Sequence, residues 1–344
     1  MYLKMDVVTI INCFLLLLVI FIAVDTIAYM VYGFNAEKIH SSYKYDIFLP
    51  ENIPVSIKQY KNIVRGKKIC QKSSIVICCL CRNIERCFSK SKARLEGVGC
   101  LFSEYKIILF ENDSKDQSRS LLQQWDIDNP NVHLLNCSDI GLPNCQLDIK
   151  HGYTISHNDR IKNMCFYRNR YLDYVKKNYA HYNFLMVYDF DLEGGFLKSG
   201  IYDSLGREEY WDGIFANGRT PLPPFGIGST MYDGLAFLKD EKCVKDSTLK
   251  RFWHLCLLNG RIGDPLIPVL SAFNGMAIYR IPSILRSSYA VLDPPLACEH
   301  VGLHNDMSKK GFGTFYINPS MLLYAGLQGP QNKFSTCWKL MDSP

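Results

Sequence analysis

The chain has 344 residues, of which 48% are hydrophobic and 13% aromatic, and its formal net charge is +6. This apolar content is enough for one large core or two ordinary ones, so the composition excludes a disordered chain. The sequence has no long basic block and no basic repeat interleaved with aromatic residues, so nucleic acid is not predicted as a partner. A membrane surface or an anionic substrate fits the modest positive charge better.

An apolar segment lies near the amino terminus. Val7 to Val24 is almost wholly apolar, with Asn12 its one strongly polar residue. In a helix this segment spans about 27 Å, enough to cross a bilayer core of about 30 Å when residues up to 32 extend it. A signal peptide is the alternative, but the run is too long and no small-x-small cleavage site follows. We predict a short tail at 1–6 and an uncleaved, single-pass anchor at 7–32.

The segment after the anchor has no sustained periodicity. Pro50, Pro54 and a basic cluster at 65–68 predict a stem over residues 33–72 that spaces a globular domain from the bilayer. Lysines on this side of the anchor outnumber Lys4 on the other, which by the positive-inside rule favours a cytosolic globular part. Lys4 and the terminal amine are also positive, on the other side of the anchor, so the charges mark its orientation poorly.

Two strands and a helix open the globular part. Ile75–Cys81 and Tyr105–Phe110 are short apolar runs, and the residues from 84 to 95 between them fit a helix. A strand, a helix and a second strand in this order predict parallel pairing through a right-handed crossover. The chain is therefore predicted to be an α/β protein.

An acidic turn follows the second of these strands, at residues 111–118. Ligands bind at the carboxyl ends of parallel strands, so Asp113, Ser114 or Asp116 is predicted to accept hydrogen bonds from a ribose or base. The alternative is that Ser114 and Asp116 only cap the helix that begins at Ser118.

A third apolar run ends in two carboxylates and is the central feature of the chain. Phe184–Tyr188 reads as a strand buried on both faces, and Asp189 and Asp191 follow it. Because side chains alternate along extended backbone, both acids project to one side. Hard oxygen ligands of this kind suit Mg²⁺ or Mn²⁺, whose open positions take substrate phosphates. The alternative is a solvated acidic turn that bends at the following glycines.

Three further segments supply candidate site residues. A helix from Arg160 to Val175 places Arg168 beside its buried stripe, where it is predicted to bind a diphosphate or a strand-end carboxylate, or else to form a structural ion pair.

Asn274-Gly275 interrupts an apolar strand pair, and a glycine there lets backbone approach a sugar. In a short helix after Cys298, Glu299 is the candidate general base and His304 a candidate metal ligand, although such histidines are more often surface residues.

Several of these motifs recur in the same order in a known family. They are Glu111-x-x-Ser114-x-Asp116, Arg160-Ile161, Arg168-Asn169 with Leu172, Asp189, Phe273-Asn274-Gly275, Cys298-Glu299, and Ile317-Asn318-Pro319 before Leu322-Leu323-Tyr324. The succession resembles the fungal capsule-associated mannosyltransferase family of the cryptococcal α-1,3-mannosyltransferase type. More loosely, it is similar to the GT-A class of glycosyltransferases.

The resemblance implies a GT-A fold over residues 73–330, a C-terminal tail at 331–344, and a type II membrane arrangement in Golgi, ER or host endomembranes. It also implies a nucleotide-sugar donor, with GDP-mannose the first to test, a glycan acceptor, and Mn²⁺ or Mg²⁺ as cofactor. The predicted roles are catalysis for Glu299 and Asp191, donor binding for Glu111, Asp113, Ser114, Asp116, Arg168, Asn169 and Asp189, acceptor binding for Asn274 and Gly275, and metal binding for Asp189, Asp191 and His304.

Other functions are compatible with the same residues. A GT-A enzyme that uses a UDP-sugar and inverts configuration would share the same motifs. A nucleotidyltransferase is disfavoured because Cys81-Arg82-Asn83-Ile84-Glu85, after the first strand, has no glycine for a phosphate loop. A glycan-binding protein without catalysis would need no metal.

Overall fold

The computed structural model describes residues 56–135, 157–192, 194–221, 229–240, 260–292 and 298–325, together with Leu15, Leu16 and Val19. The helices are α1 (Ile57–Cys70), α2 (Phe88–Gly99), α3 (Ser118–Asp128), α4 (His157–Asn178), α5 (Lys198–Leu205), α6 (Ile281–Ile284) and α7 (Glu299–Lys309). The strands are β1 (Ser74–Cys81), β2 (Glu104–Glu111), β3 (Val132–Leu134), β4 (Phe184–Tyr188), β5 (Gly213–Pro221), β6 (Ser229–Met231), β7 (Ile267–Val269), β8 (Met276–Arg280) and β9 (Phe315–Tyr324).

All the strands belong to one mixed sheet, in the order β3-β2-β1-β4-β8-β5-β9-β7, with β6 paired to β5. The half made of β3, β2, β1 and β4 is parallel, as the order strand, helix, strand predicts. Strand β8 runs antiparallel to both of its neighbours, β4 and β5. The carboxyl ends of β1, β2 and β4 therefore meet at one edge of the sheet.

Helices cover both faces of the sheet, which gives two apolar cores. One core packs Tyr171 and Leu172 of α4 and Leu303 of α7 against the sheet. The other packs apolar side chains of α2, α3 and α5, including Leu95 and Leu122, against the opposite face. All five residues of β4 are buried because helices lie on both sides of it. The chain is thus a three-layer α/β structure, and the predicted fold class is confirmed to that extent.

The structure differs from two predictions made from the sequence. The predicted stem extends to residue 72, but Ile57–Cys70 is helix α1 and packs on α5. A β carbon on Gly66 would lie 1.7 Å from the Tyr202 carbonyl oxygen, so the two backbones touch there and glycine is required. The predicted strand pair around Asn274 is also wrong, because β7 pairs with β9 whereas β8 pairs with β4 and β5.

The predicted membrane anchor at 7–32 lies outside the described residues, apart from Leu15, Leu16 and Val19. Among the helices that the structure does describe, none is both long and apolar enough to span a bilayer.

Candidate active site

The turn after β4 is fixed by three hydrogen bonds to its backbone. The Asp189 amide donates to the Gly275 carbonyl at 3.0 Å. Helix α2 holds the next residues, because Ser91 Oγ donates to the Phe190 carbonyl at 2.6 Å and Arg94 Nη1 donates to the Leu192 carbonyl at 2.7 Å. Phe190 and Leu192 are buried, so the acids between and before them are left on the other side of the turn.

Asp189 and Asp191 carry more negative charge than their surroundings balance. The side chain of Asp189 is 24% exposed, and Asp191 is exposed. Burial still raises the pKa of Asp189 well above its usual range, opposed by Arg168 and reinforced by Asp191. Desolvation by the surrounding protein also raises the pKa of Asp191, whereas the positive charges of Arg86, Arg160 and Arg168 lower it. The turn is therefore a site where bound cations or protons are favoured.

Arg168 lies at the centre of the site. Its Nε donates to Glu299 Oε1 at 2.8 Å, and Nη2 lies 3.6 Å from Asp189 Oδ1. Its Nη1 donates to the Tyr171 hydroxyl at 3.2 Å, and its guanidinium carbon lies 5.3 Å from the centre of the Phe273 ring. The side chain is only 4% exposed, so this cation depends on its carboxylate partners. Arg168 thus joins α4, α7 and the end of β4.

Glu299 is the first residue of α7 and faces Arg168. Its side chain is 6% exposed, and His300 Nε2 lies 3.8 Å from its Oε1. His300 stacks on Phe273 with ring centres 3.9 Å apart, and burial lowers its pKa well below the usual value. Glu299 is therefore held between a buried guanidinium and a neutral imidazole.

Asp233 belongs to this acidic group, although the sequence pattern did not single it out. It follows strand β6, and its Oδ1 accepts a hydrogen bond from the Ala236 amide at 3.3 Å. Burial raises the pKa of Asp233 to about 6, and the negative charge of Glu299 adds to this rise. An acid close to the end of a strand is also the signal that marks Asp189, although Tyr232 separates Asp233 from β6. The sequence did not reveal this signal at β6, because a strand of three residues has no recognisable apolar run.

The prediction of His304 as a metal ligand is wrong. His304 is fully buried, and its two ring nitrogens lie 2.7 Å from Ser271 Oγ and 2.8 Å from the Tyr279 hydroxyl. Both nitrogens are thus occupied within the core. Burial lowers its pKa to about 3, so the ring is neutral.

The predicted acceptor contacts at Asn274 and Gly275 are also wrong. Asn274 is fully buried, and its Nδ2 donates to the Ala216 carbonyl at 2.8 Å. The two residues have φ angles of 58° and 87°, and the Met276 amide donates back to the Phe273 carbonyl at 3.2 Å. The pair forms a tight turn that needs left-handed backbone, and the Gly275 carbonyl of this turn accepts the hydrogen bond from the Asp189 amide.

Asn169 binds the backbone of Tyr289. Its Nδ2 donates to the Tyr289 carbonyl at 2.9 Å, and its Oδ1 accepts from the Tyr289 amide at 2.8 Å. The predicted donor contact of Asn169 stays a prediction. Asn169 fixes Tyr289, whose hydroxyl lies 3.1 Å from that of Tyr171 beside Arg168.

The acidic turn after β2 lies at the same edge of the sheet, but its carboxylates are used locally. Glu111 accepts from the Ser114 amide at 2.8 Å and pairs with Arg119 at 2.6 Å. Asp116 accepts from the Ser118 amide at 3.0 Å and from the Glu85 amide at 3.3 Å.

Asp116 lies one residue before Gln117, the N-cap of α3, and its carboxylate binds the first amide of the helix. This use of the carboxylate resembles the capping alternative, and nucleotide binding by Asp116 stays a prediction. The Ser114 hydroxyl accepts from the Asn83 amide at 3.1 Å, so it too joins the two loops at this edge. Asp113 has a φ of 52° and is partly exposed, which leaves it as the acid of this turn best placed for a ligand.

The residues at the end of β4 fit a divalent cation. In the described part of the chain, no group of three or more His, Cys, Asp or Glu side chains is arranged to hold a metal by itself. Asp189 and Asp191 nevertheless supply two hard oxygen ligands with uncompensated charge, and Mg²⁺ or Mn²⁺ commonly takes the rest of its shell from water and substrate phosphates. The donor set therefore suits a metal that binds together with a phosphate ligand.

Comparisons with known proteins give distant structural likenesses. No protein-family model matches the sequence, and no curated protein matches it. The chain is similar to mannosyltransferase PcManGT from Pyrobaculum calidifontis, solved in complex with GDP-Man and Mn²⁺, at 8% identity and a TM-score of 0.42, over 79% of this chain and 66% of that one.

The chain is also similar to S. aureus TarS 1-349 in complex with UDP-GlcNAc, at 11% identity and a TM-score of 0.39, over 78% of this chain and 64% of that one. A mycobacterial protein is similar at 11% identity and a TM-score of 0.44, over 82% of this chain and 75% of that one. The chain spans less than two thirds of the length of TarS 1-349 and of PcManGT. All three TM-scores lie below 0.5, so the function of the chain has to be inferred from its own geometry.

Proposed function

We propose that the chain is a metal-dependent glycosyltransferase that moves a sugar from a nucleotide-sugar donor to a glycan or glycoconjugate acceptor. The observation that carries the proposal is the turn after β4. There Asp189 and Asp191 have raised pKa values beside the buried Arg168, at the edge where parallel strands end. Ligands of α/β sheets bind at this edge, and this charge pattern favours a cation together with its phosphate partner.

The residues then take distinct roles. Asp189 and Asp191 would hold Mn²⁺ or Mg²⁺, which when bound neutralises the charge of the nucleotide diphosphate that leaves. Arg168 fixes the orientation of Asp189 and Glu299 through its ion pairs. Asp113 is proposed to contact the nucleoside. In the overall reaction the bond between the sugar's anomeric carbon and the diphosphate breaks, and an acceptor hydroxyl loses its proton and takes the sugar.

The donor and the stereochemistry belong to the proposal as well. GDP-mannose is the first donor to test, because the sequence resembles α-mannosyltransferases, and UDP-sugars are the second. Retention of configuration suits the geometry of Glu299, because its carboxylate is bound to Arg168 at 2.8 Å and only 6% of its side chain is exposed. In a retaining reaction the leaving phosphate itself can take the acceptor's proton.

A screen of donor hydrolysis tests this function. The purified full chain is incubated with GDP- and UDP-sugars and with Mn²⁺, Mg²⁺ or a chelator, and the released nucleotide is measured. We expect turnover of one sugar nucleotide with metal, and losses of at least about 10²-fold in Asp189→Asn and Asp191→Asn, because each change removes charge stabilisation at the leaving group.

A matched control is Asp173→Asn, which neutralises an exposed acid on α4 whose partner is Lys176. It should retain full activity. Folded Asp189→Asn and Asp191→Asn variants that hydrolyse the donor as fast as the parent would contradict the proposal. Metal-dependent binding of a glycan without turnover of any donor would favour a glycan-binding protein, and release of pyrophosphate from a nucleoside triphosphate would favour a nucleotidyltransferase.

A further inference from the structure

Helix α1 packs on the domain with a polar inner face. Its buried positions include Gln59 and Gly66. Gln59 Nε2 donates to Ser320 Oγ at 2.9 Å, and Asn62 Nδ2 donates to Asp203 Oδ1 at 3.3 Å. The middle of the helix therefore contacts the domain through amide side chains and a glycine, and its apolar contribution to the core comes from Ile69 and Cys70 at its carboxyl end.

The outer face of α1 carries three exposed apolar side chains. Ile57 is 79% exposed, Tyr60 is 60% exposed and Val64 is 36% exposed. They recur at spacings of three and four residues, so they lie on one side of the helix. An ordinary surface helix has the opposite arrangement, with apolar side chains inside and polar ones outside.

The same outer face is strongly basic. Helix α1 contains five basic residues and no acidic residue, and Lys61 and Lys68 lie on the side that presents Tyr60 and Val64. Arg65 pairs with Glu209 of the neighbouring turn. A shallow groove of about 550 Å³ runs along this side between the lysines and Glu208. The face thus combines exposed aliphatic and aromatic groups with flanking cations.

We propose that this face, defined by Ile57, Tyr60, Lys61, Val64 and Lys68, binds the surface of a bilayer that contains anionic phospholipids. Apolar side chains that enter the boundary between headgroups and acyl chains, flanked by lysines that reach phosphates, are the chemistry of an interfacial helix. A protein partner would need an apolar patch with acidic groups on both sides of it. An anionic bilayer offers apolar acyl chains beneath negatively charged headgroups at every point of its surface. The anchor predicted at 7–32 would bring α1 to the same membrane.

Quenching by brominated lipid tests the proposal on the full chain. Tyr60→Trp is reconstituted into vesicles with brominated acyl chains, either of phosphatidylcholine alone or with phosphatidylserine added, and its fluorescence is compared with that of the parent chain. We expect added quenching in the anionic vesicles and little in the neutral ones. Ile127→Trp is the matched control, because Ile127 is 77% exposed on α3 and should not be quenched in either.

Removing the charge provides a second arm. Lys58 lies at the edge of this face, three residues before Lys61. Lys58, Lys61 and Lys68 are all exposed, and changing the three to Gln should weaken the association of α1 with the anionic surface by about 100-fold, at about fivefold for each cation. Changing the exposed residues Lys162, Lys177 and Lys309 to Gln should have no such effect.

Several outcomes would overturn the proposal. They are no added quenching of Tyr60→Trp in anionic vesicles, equal quenching in neutral and anionic vesicles, equal quenching of Ile127→Trp, or unchanged quenching after removal of the three lysines. Unquenched Tyr60→Trp together with self-association that Tyr60→Ala abolishes would show instead that a second copy of the chain covers this face.

Discussion

Two acidic turns lie at the same edge of the sheet, one after β2 and one after β4, and they hold their charges in opposite ways. In the β2 turn, backbone amides and the side chains of Ser118 and Arg119 satisfy the carboxylates, and hydrogen bonds from Ser118 and Glu85 lower the pKa of Asp116 against the effect of burial. In the β4 turn, burial raises the pKa of both Asp189 and Asp191, and the negative charges of Asp191, Asp233 and Glu299 add to the rise at Asp189.

The difference shows how equal sequence signals lead to different chemistry. Hydrogen bonds from residues close along the chain make the β2 turn self-sufficient. The β4 turn is completed by residues from distant segments, including Arg168, Asp233 and Glu299, and their charges do not cancel. Uncompensated negative charge is typical of a site that binds a cation. A turn whose carboxylates are all hydrogen-bonded or ion-paired is typical of a structural loop.

Loss of the central cation should have the largest effect on this contrast. In Arg168→Met, Glu299 and Asp189 lose a buried partner, and we expect the free energy of unfolding at pH 7 to fall by about 3–5 kcal/mol. Arg119→Met removes the cation of the β2 turn, whose side chain is 55% exposed, and should cost about 1 kcal/mol or less. Urea unfolding measures both, and equal losses would refute the distinction between the turns.

Glu299→Gln separates a positioning role from a catalytic one. Because Glu299 is held by Arg168 at 2.8 Å, we expect kcat for transfer to an acceptor to fall by less than about tenfold. The anomeric configuration of the product, read by NMR, should show retention. A loss of about 10²-fold or more, the size typical of a missing general base, together with an inverted product would mean that Glu299 takes the acceptor's proton.

The pH dependence of stability should differ between Asp116 of the β2 turn and Asp233, whose charge acts on Asp189 of the β4 turn. The pKa of Asp233 is raised to about 6, so its contribution to stability is present below about pH 4 and is lost as the pH rises through about 6. Asn does not ionise, so the Asp233→Asn variant avoids the cost of a buried charge at pH 7. With a chelator present, its melting temperature at pH 7 should lie about 2–4 °C above that of the parent, which is the shift that about 1 kcal/mol produces in a domain of this size. The two should melt together at pH 4, and a difference that does not depend on pH would rule out this cause.

The smallest effect is expected in the β2 turn. Asp116→Ala removes the hydrogen bonds to the Ser118 and Glu85 amides and should lower the free energy of unfolding by about 1 kcal/mol, while KM for the donor stays unchanged. The pKa of Asp116 is lowered, so its stabilising contribution should disappear as the pH falls below about 4, the opposite direction to Asp233. A rise of about tenfold in KM would place Asp116 in the donor site and make the two turns alike.

Much of the fold could be read from local pattern. Short apolar runs predicted β1, β2 and β4, and the helix between the first two predicted their parallel order. The place of Asp189 and Asp191 at the end of β4 follows from the same alternation, because Phe190 and Leu192 are buried and the acids are not. The helix that carries Arg168 was also predicted from its apolar stripe.

The errors arose where a residue's environment comes from distant parts of the chain. His304 looked like a metal ligand, but Ser271 and Tyr279 occupy its two nitrogens in the core. Asn274 was predicted to contact an acceptor sugar, yet its buried side chain bonds to β5. Helix α1 was taken for a stem because its apolar residues do not form the usual inward stripe.

The sequence by itself determined the parallel pairing of β1 with β2 and the position of two carboxylates at the end of β4, because both depend on apolar runs and on the alternation of neighbouring residues. Only the tertiary structure decided which charged groups stay unbalanced. Arg168, Asp233 and Glu299 meet across elements far apart in the chain, and the pKa of a group depends on what surrounds it in space rather than in sequence.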